Sequence, residues 1–281
     1  MLKTTLQTAL ISTLLTFSAP LTAMAQETQQ PVMSNVQTNT TVTIDVKLKG
    51  YVFGISMIKA FYKGEVSGDS YAVRADIKTS GLGALLKKLR IWATTSGTID
   101  GQYPQLSLRP REHIQQNMDK KHRRVEMNYG ADHVDVNIVP RLGSQGTPPA
   151  SPQQRFESDD AVSAILNIMM RGHSTSATPC MGDVKVFDSK QHYILRMEHK
   201  GARRIKQKGY KGDTIRCYVY YIPVSGFDPE DLPSDEEGGT PITMYLANFE
   251  DAGLYIPVRM TYKISGFKAV IKARDIKVNV K

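Results

Sequence analysis

The sequence predicts a mainly-β fold, a curved antiparallel sheet or partly open β-barrel with one buried short helix. Two observations predict the sheet. Apolar and polar residues alternate in many short segments, and Gly, Asp and Ser turns separate those segments. A third observation predicts the helix, because residues 160–171 carry an apolar run without alternation. Each strand is apolar on one face only, so we expect one covered face.

Residues 1–25 are predicted to be a signal peptide. A positive start leads into a mainly apolar stretch from Leu6 to Leu21, followed by the small residues Ala23 and Ala25. Small residues at these positions suit a signal peptidase, so we place cleavage between Ala25 and Gln26. The alternative is a membrane anchor, for which the apolar run is short. We therefore expect export to the periplasm of a Gram-negative bacterium, with no transmembrane span in the mature chain.

After the signal, residues 26–40 are polar and aperiodic, which predicts a flexible leader. Residues 41–281 are predicted to form a single β domain. Residues 82–89 fit either a short helix or a strand bent at Gly81 and Gly83. The segments with clear alternation are Val42–Lys49, Tyr71–Lys78, Arg123–Tyr129, Val134–Ile138, Tyr193–Glu198, Ile215–Tyr221, Met244–Phe249, Val258–Ile264 and Val270–Val280.

The predicted helix has recognisable ends. Asp160 supplies an N-cap side chain and Gly172 a stop, on either side of good helix formers. Because its circumference is mostly apolar, this helix should fill the interior of the curved sheet.

The two cysteines, Cys180 and Cys217, are predicted to form a disulfide. Both lie in the exported part of the chain, where oxidation is the default. The alternatives are buried free thiols or a redox pair, although a redox pair usually has C-x-x-C spacing.

Catalytic and metal-binding motifs find little support in the sequence. Ser56 to Lys59 matches S-x-x-K, but in a strand positions three apart face opposite ways. The six histidines lack metal-ligand spacing, and the acidic loop from Asp228 to Glu237 lacks the spacing of a calcium loop. We therefore predict no enzyme and no cofactor, and we assign no catalytic or metal-ligating residue.

Basic residues are the most prominent surface feature, because the formal net charge is +9. In an exported protein, clustered bases favour anionic lipid headgroups or other envelope polyanions as partners over nucleic acid. A basic but functionally silent surface is the alternative. The candidate contact residues fall into three clusters: Lys87, Lys88 and Arg90; Lys120, Lys121, Arg123 and Arg124; and Arg203, Arg204, Lys206 and Lys208.

Several short motifs follow one another along the chain in a characteristic order. They are Gly54; Thr79–Leu82 with Ser96–Gly97; Val134–Val136 with Pro140; the helix after Asp160; Cys180 with Val186–Asp188; Cys217 with Tyr221–Phe227; Ile256–Arg259; and Gly266. This order resembles the DUF3108 family of exported bacterial proteins. The resemblance implies a curved, barrel-like envelope protein with no established catalytic residues to transfer. The chain departs from the family at Ser189, where members tend to have glycine.

We therefore expect a non-enzymatic periplasmic protein. It would bind or carry an apolar or anionic envelope ligand, either a lipid or a protein segment, or would support envelope integrity. One alternative is an envelope polysaccharide or peptidoglycan hydrolase, which would need titratable groups converging in a cleft. Another is a structural partner in an envelope complex.

Overall fold

A computed structural model describes residues 40–100, 107–118, 122–171, 179–264 and 267–281. The predicted signal peptide and its cleavage site lie outside the described residues, as do nearly all of the predicted leader, Lys120, Lys121, Gly172 and Gly266. In the part of the chain that the structure describes, no helix is long and apolar enough to cross a membrane.

The described chain forms one antiparallel sheet of thirteen strands. Its order is β7-β6-β5-β4-β3-β2-β1-β13-β12-β11-β10-β9-β8. The first and last strands pair at the centre, and the two edge strands are consecutive in the chain. The strands are β1 (Thr41–Val52), β2 (Ile55–Ser67), β3 (Ser70–Thr79), β4 (Arg90–Asp100), β5 (Ser107–Asn117), β6 (Arg124–Tyr129), β7 (Val134–Val139), β8 (Gly182–Phe187), β9 (His192–Gln207), β10 (Tyr210–Ser225), β11 (Ile242–Phe249), β12 (Leu254–Ile264) and β13 (Phe267–Val280).

The described structure also contains two single-turn 3-10 helices, at Pro229–Asp231 and Glu250–Ala252, and four short α-helices. The α-helices are α1 (Leu82–Leu86), α2 (Pro152–Phe156), α3 (Ala161–Met170) and α4 (Asp235–Gly239). Helix α3 is the predicted buried helix, and its N-cap is Asp160. It contacts β3, β4 and β5 on one side and β8 and β12 on the other, so it fills the interior of the sheet. The predicted fold class is confirmed as one open, mainly antiparallel sheet around a short helix.

The two edges of the sheet are joined through the segment that leads into α3. The Asp159 N–H donates to the Lys185 carbonyl (3.0 Å), and the Phe187 N–H donates to the Asp159 carbonyl (2.9 Å). Phe187 packs in an apolar cluster with Val125 and Met127 of β6. These contacts satisfy part of the β8 edge and hold it against the other end of the sheet.

Strands β9 and β10 form a long hairpin that leaves the regular sheet. At Gly201 the backbone has φ +82°, and the pairing of the two strands shifts register nearby. The tip then packs on the core side, where Ile205 is buried in the cluster of Ala273. The Gln207 side-chain amide donates to the Val258 carbonyl at 2.8 Å.

Cys180 and Cys217 are joined by a disulfide, and both side chains are fully buried. Their Cα atoms lie 5.5 Å apart, within the usual range for this bond. The bond connects the segment before β8 to β10.

Candidate functional site: a basic belt on the outer face

Six basic residues stand directly opposite one another across six adjacent strands, from β12 through β13, β1, β2 and β3 to β4. Directly opposed residues project from the same face of a sheet. Neighbouring strands lie about 4.8 Å apart, so the row is about 24 Å long. We call this row the basic belt, and in order along it the residues are Arg259, Lys272, Lys49, Lys59, Lys78 and Arg90.

The belt lies on the outer face of the sheet. Next to Lys272 in β13, Ala273 is fully buried in the core, and next to Arg259 in β12, Val258 is fully buried. Because successive residues of a strand alternate between faces, the belt residues point away from α3. Lys78 and Arg90 are exposed, and the other four are half-buried.

No belt residue forms a salt bridge with an acid among the described residues. Three of the six, Lys272, Lys78 and Arg259, lie over aromatic rings instead. The Lys272 ammonium lies 5.7 Å from the centre of the Tyr51 ring, and the Lys78 ammonium lies 5.8 Å from that of Phe61. Such cation–π contacts hold the side chains without neutralising their charge.

The adjoining part of the same face is built differently, because it interleaves acids with bases. Lys47 pairs with Asp275 across β1 and β13 at 2.7 Å. In the next row Lys63 stands opposite Asp45, with 3.8 Å between their charged atoms. Directly opposed like charges destabilise a sheet, so five such contacts in one row are unfavourable by roughly 1–3 kcal/mol in total. The face thus contains one row whose charge pattern works against folding.

The structure brings the first predicted basic cluster close to Arg123 and Arg124, the described members of the second. Arg90 belongs to the belt, and the exposed Lys87 and Lys88 precede it directly. Arg123 and Arg124 lie at the same end of the neighbouring strands, because the Met118 N–H just past β5 donates to the Arg90 carbonyl at 2.7 Å. Arg124 is partly neutralised by Glu126, at 2.6 Å.

The third predicted cluster lies apart from the belt. Arg203, Arg204, Lys206 and Lys208 sit on the β9–β10 hairpin, whose tip packs on the core side of the sheet. Arg204 pairs with Asp213 at 3.2 Å. The prediction that all three clusters contact an anionic partner stays a prediction. The geometry favours the first cluster together with Arg123 and Arg124 of the second.

A buried polar cluster holds α3 in the sheet. One oxygen of Asp160 accepts hydrogen bonds from the Thr95 hydroxyl (2.8 Å) and from the N–H groups of Val162 and Ser163. It also lies 3.0 Å from Nδ1 of His113. Burial opposes ionisation of Asp160, but the hydrogen bond and charge of His113 outweigh it and lower the pKa. Because Asp160 and His113 are almost completely buried, we interpret the cluster as a clamp between helix and sheet.

Beside this clamp, Asp159 lines a cleft of about 440 Å³ together with Tyr129 and Phe156. Burial raises the pKa of Asp159 to about 7, although a hydrogen bond from Asn167 (2.7 Å) partly opposes the shift. Such a carboxyl could exchange a proton near neutral pH. Within the described ranges, no group of three or more His, Cys, Asp or Glu residues is placed to hold a metal ion.

Sequence reasoning missed five of the six belt residues. None of the five has an adjacent base in the sequence. The β2 region was treated as strand, but it was not among the segments predicted from clear alternation. The available signal was indirect, because Lys49 and Lys78 fall on the polar face of predicted strands.

No family model matches the chain, and no curated protein matches it. The resemblance to the DUF3108 family therefore stays a prediction. The crystal structure of a β-barrel-like protein of the domain of unknown function DUF1849 from Brucella abortus is similar at 12% identity. The similarity covers 85% of this chain and 97% of that chain, with a TM-score of 0.43. At this level of similarity we draw no conclusion about function.

Proposed function

We propose that this chain is an exported, non-enzymatic protein of the periplasm that binds an anionic component of the cell envelope through the basic belt. The observation that carries the proposal is the row of six opposed bases, which has no acid partner among the described residues. Such a row is unfavourable in the free protein and becomes favourable when phosphate or carboxylate groups lie along it. A ligand that presents repeated anionic groups fits a belt about 24 Å long.

The interior of the sheet is a less suitable place for a ligand. Helix α3 occupies it, with Leu166 and Ile168 almost completely buried. An acyl chain held inside the sheet would have to displace this helix and break the Asp160 clamp. We therefore place binding on the outer face, where the belt needs no rearrangement.

The experiment compares two variants that remove the same charge. In one, Lys49, Lys59 and Lys78 of the belt are changed to Gln, and in the other Lys206, Lys208 and Lys211 of the hairpin are changed to Gln. Heparin serves as the soluble polyanion, with binding followed by calorimetry at low salt. Each belt lysine at an anionic surface contributes about 1 kcal/mol, so the belt variant should bind about 100-fold more weakly.

The hairpin variant should keep nearly the affinity of the unmodified chain. Equal losses in both variants would show that net charge alone governs binding, and the belt would then have no special role. A chain that binds heparin weakly, and equally with or without the belt lysines, would also overturn the proposal.

A further inference from the structure

Large apolar side chains are exposed where the belt strands end. Phe53 in the β1–β2 turn is 72% exposed, and Leu85 of α1 is 82% exposed. Leu82, the first residue of α1, and Phe267, the first residue of β13, are each about half exposed. The Phe53 and Phe267 ring centres lie 4.9 Å apart, and α1 packs against β2. We call Phe53, Leu82, Leu85 and Phe267 the apolar tip.

Phe53 is an unusual residue for its turn. It has φ +52°, and the following Gly54 has φ +78°, so the chain reverses in a two-residue turn with positive φ at both positions. Such turns favour Asn, Asp or Gly, because a bulky side chain at positive φ is strained. Phe53 therefore combines backbone strain with exposure of a large ring to water. An apolar partner that covered the ring would compensate for the cost of that exposure.

The distance between the belt and the tip matches the depth of a bilayer's headgroup layer and the outer part of its acyl chains. Lys49 precedes Phe53 by four residues of extended chain, which span about 13 Å. The headgroup layer of a bilayer is roughly 5–8 Å deep, and interfacial elements bury apolar side chains about 5–10 Å into the boundary between headgroups and acyl chains. When the belt lies among headgroups, the tip therefore reaches the acyl chains. Lys87 and Lys88 follow α1 and add charge beside Leu85.

We infer that the anionic component is a lipid bilayer and that the protein docks on it end-on, with the apolar tip inserted and the basic belt at the headgroups. This inference rests on the proposed function, because the belt supplies the electrostatic attraction. A second copy of the chain does not fit the surface, since it would bring an identical row of positive charge. A soluble polyanion would fit the belt but would leave the tip exposed.

The test measures cosedimentation with vesicles of phosphatidylcholine, with and without phosphatidylglycerol, alongside heparin binding. The tip variants are Phe53→Asn, which suits positive φ, and Leu85→Gln, which suits a helix. The matched control is Val280→Asn, which changes an exposed apolar residue at the far end of β13. Combined, the two tip substitutions should lower binding to anionic vesicles by about 30-fold or more and leave heparin binding unchanged. The control should change neither.

Insertion itself can be followed by fluorescence. The chain has a single tryptophan, so Phe53→Trp in a Trp92→Phe background reports on the tip alone. Its emission should shift to the blue with anionic vesicles and be quenched by brominated acyl chains.

The outcomes separate the two proposals. Vesicle binding that survives the tip substitutions, or a Trp at position 53 that stays in water, would overturn end-on docking while leaving belt-dependent heparin binding intact. Loss of the belt effect on heparin would instead remove the proposed function. Heparin binding without any vesicle binding would assign the belt to a soluble polymer or an acidic protein.

Discussion

Lys59→Glu should stabilise the protein while weakening its binding to anions. Lys59 lies at the centre of the belt, with Lys49 opposite it on β1 and Lys78 opposite it on β3. The substitution turns two repulsive contacts into two attractive ones. Functional surfaces often retain residues that lower the stability of the fold, because those residues are needed for binding.

The magnitude follows from the spacing of the opposed side chains. Two unit charges about 5 Å apart in water interact by about 0.8 kcal/mol, and physiological salt reduces this to about 0.4 kcal/mol. Lys59→Glu removes two such repulsions and adds two attractions. The free energy of unfolding should therefore rise by about 1.5 kcal/mol. For a chain of this size, the melting temperature should rise by about 3–6 °C.

Lys63→Glu is the matched control, because Lys63 lies on the same strand and face. It stands opposite Asp45 and Arg74, so the same charge change creates one repulsion and one attraction. Urea denaturation should show little net effect for it, and the Lys59→Glu gain should shrink in 1 M salt. If Lys59→Glu destabilises the chain, or if both variants behave alike, the belt is not a site of electrostatic strain.

Four further predictions concern other parts of the chain. Burial raises the pKa of Asp159 to about 7, so the folded chain holds a proton there that the unfolded chain releases near pH 4. Stability should therefore fall as pH rises from about 4 to 7, and Asp159→Asn should flatten this dependence in urea denaturation. Ser189 has φ +91°, so Ser189→Gly should raise the free energy of unfolding by about 1 kcal/mol, and a decrease would exclude strain there. Non-reducing peptide mapping of exported protein should find Cys180 linked to Cys217, and reduction should destabilise the chain by about 4 kcal/mol. Mass spectrometry of periplasmic protein should show Gln26 as the first residue, and an intact N-terminus would exclude cleavage there.

The sequence predicted elements whose local pattern matches their surroundings. Helix α3 has a capping aspartate and an apolar circumference, and β1 alternates because one face meets the core and the other meets water. Strand β4 does not alternate between apolar and polar residues. Its buried positions on the side of α3 include Ala93, Thr95 and Gly97, which are small or polar. Strand β5 contains Pro110 and a register shift against β4, so its alternation is interrupted.

The belt was beyond prediction for a physical reason. Bases that are adjacent in a strand, such as Arg203 and Arg204, project to opposite faces, so a run of charge in the sequence is divided by the fold. Bases far apart in the sequence, such as Lys49 and Lys272, become neighbours only through the pairing of β1 with β13. That pairing depends on a register shift between Lys47 and Leu48, which the alternation of either strand does not reveal.

The salt dependence of heparin binding tests the central claim most directly. For a linear polyanion, the slope of log affinity against log salt counts the ionic contacts that form. Changing Lys49, Lys59 and Lys78 to Gln should reduce this slope by about two to three, and changing Lys206, Lys208 and Lys211 should leave it unchanged. Equal slopes for the unmodified chain and the belt variant would contradict a binding role for the belt.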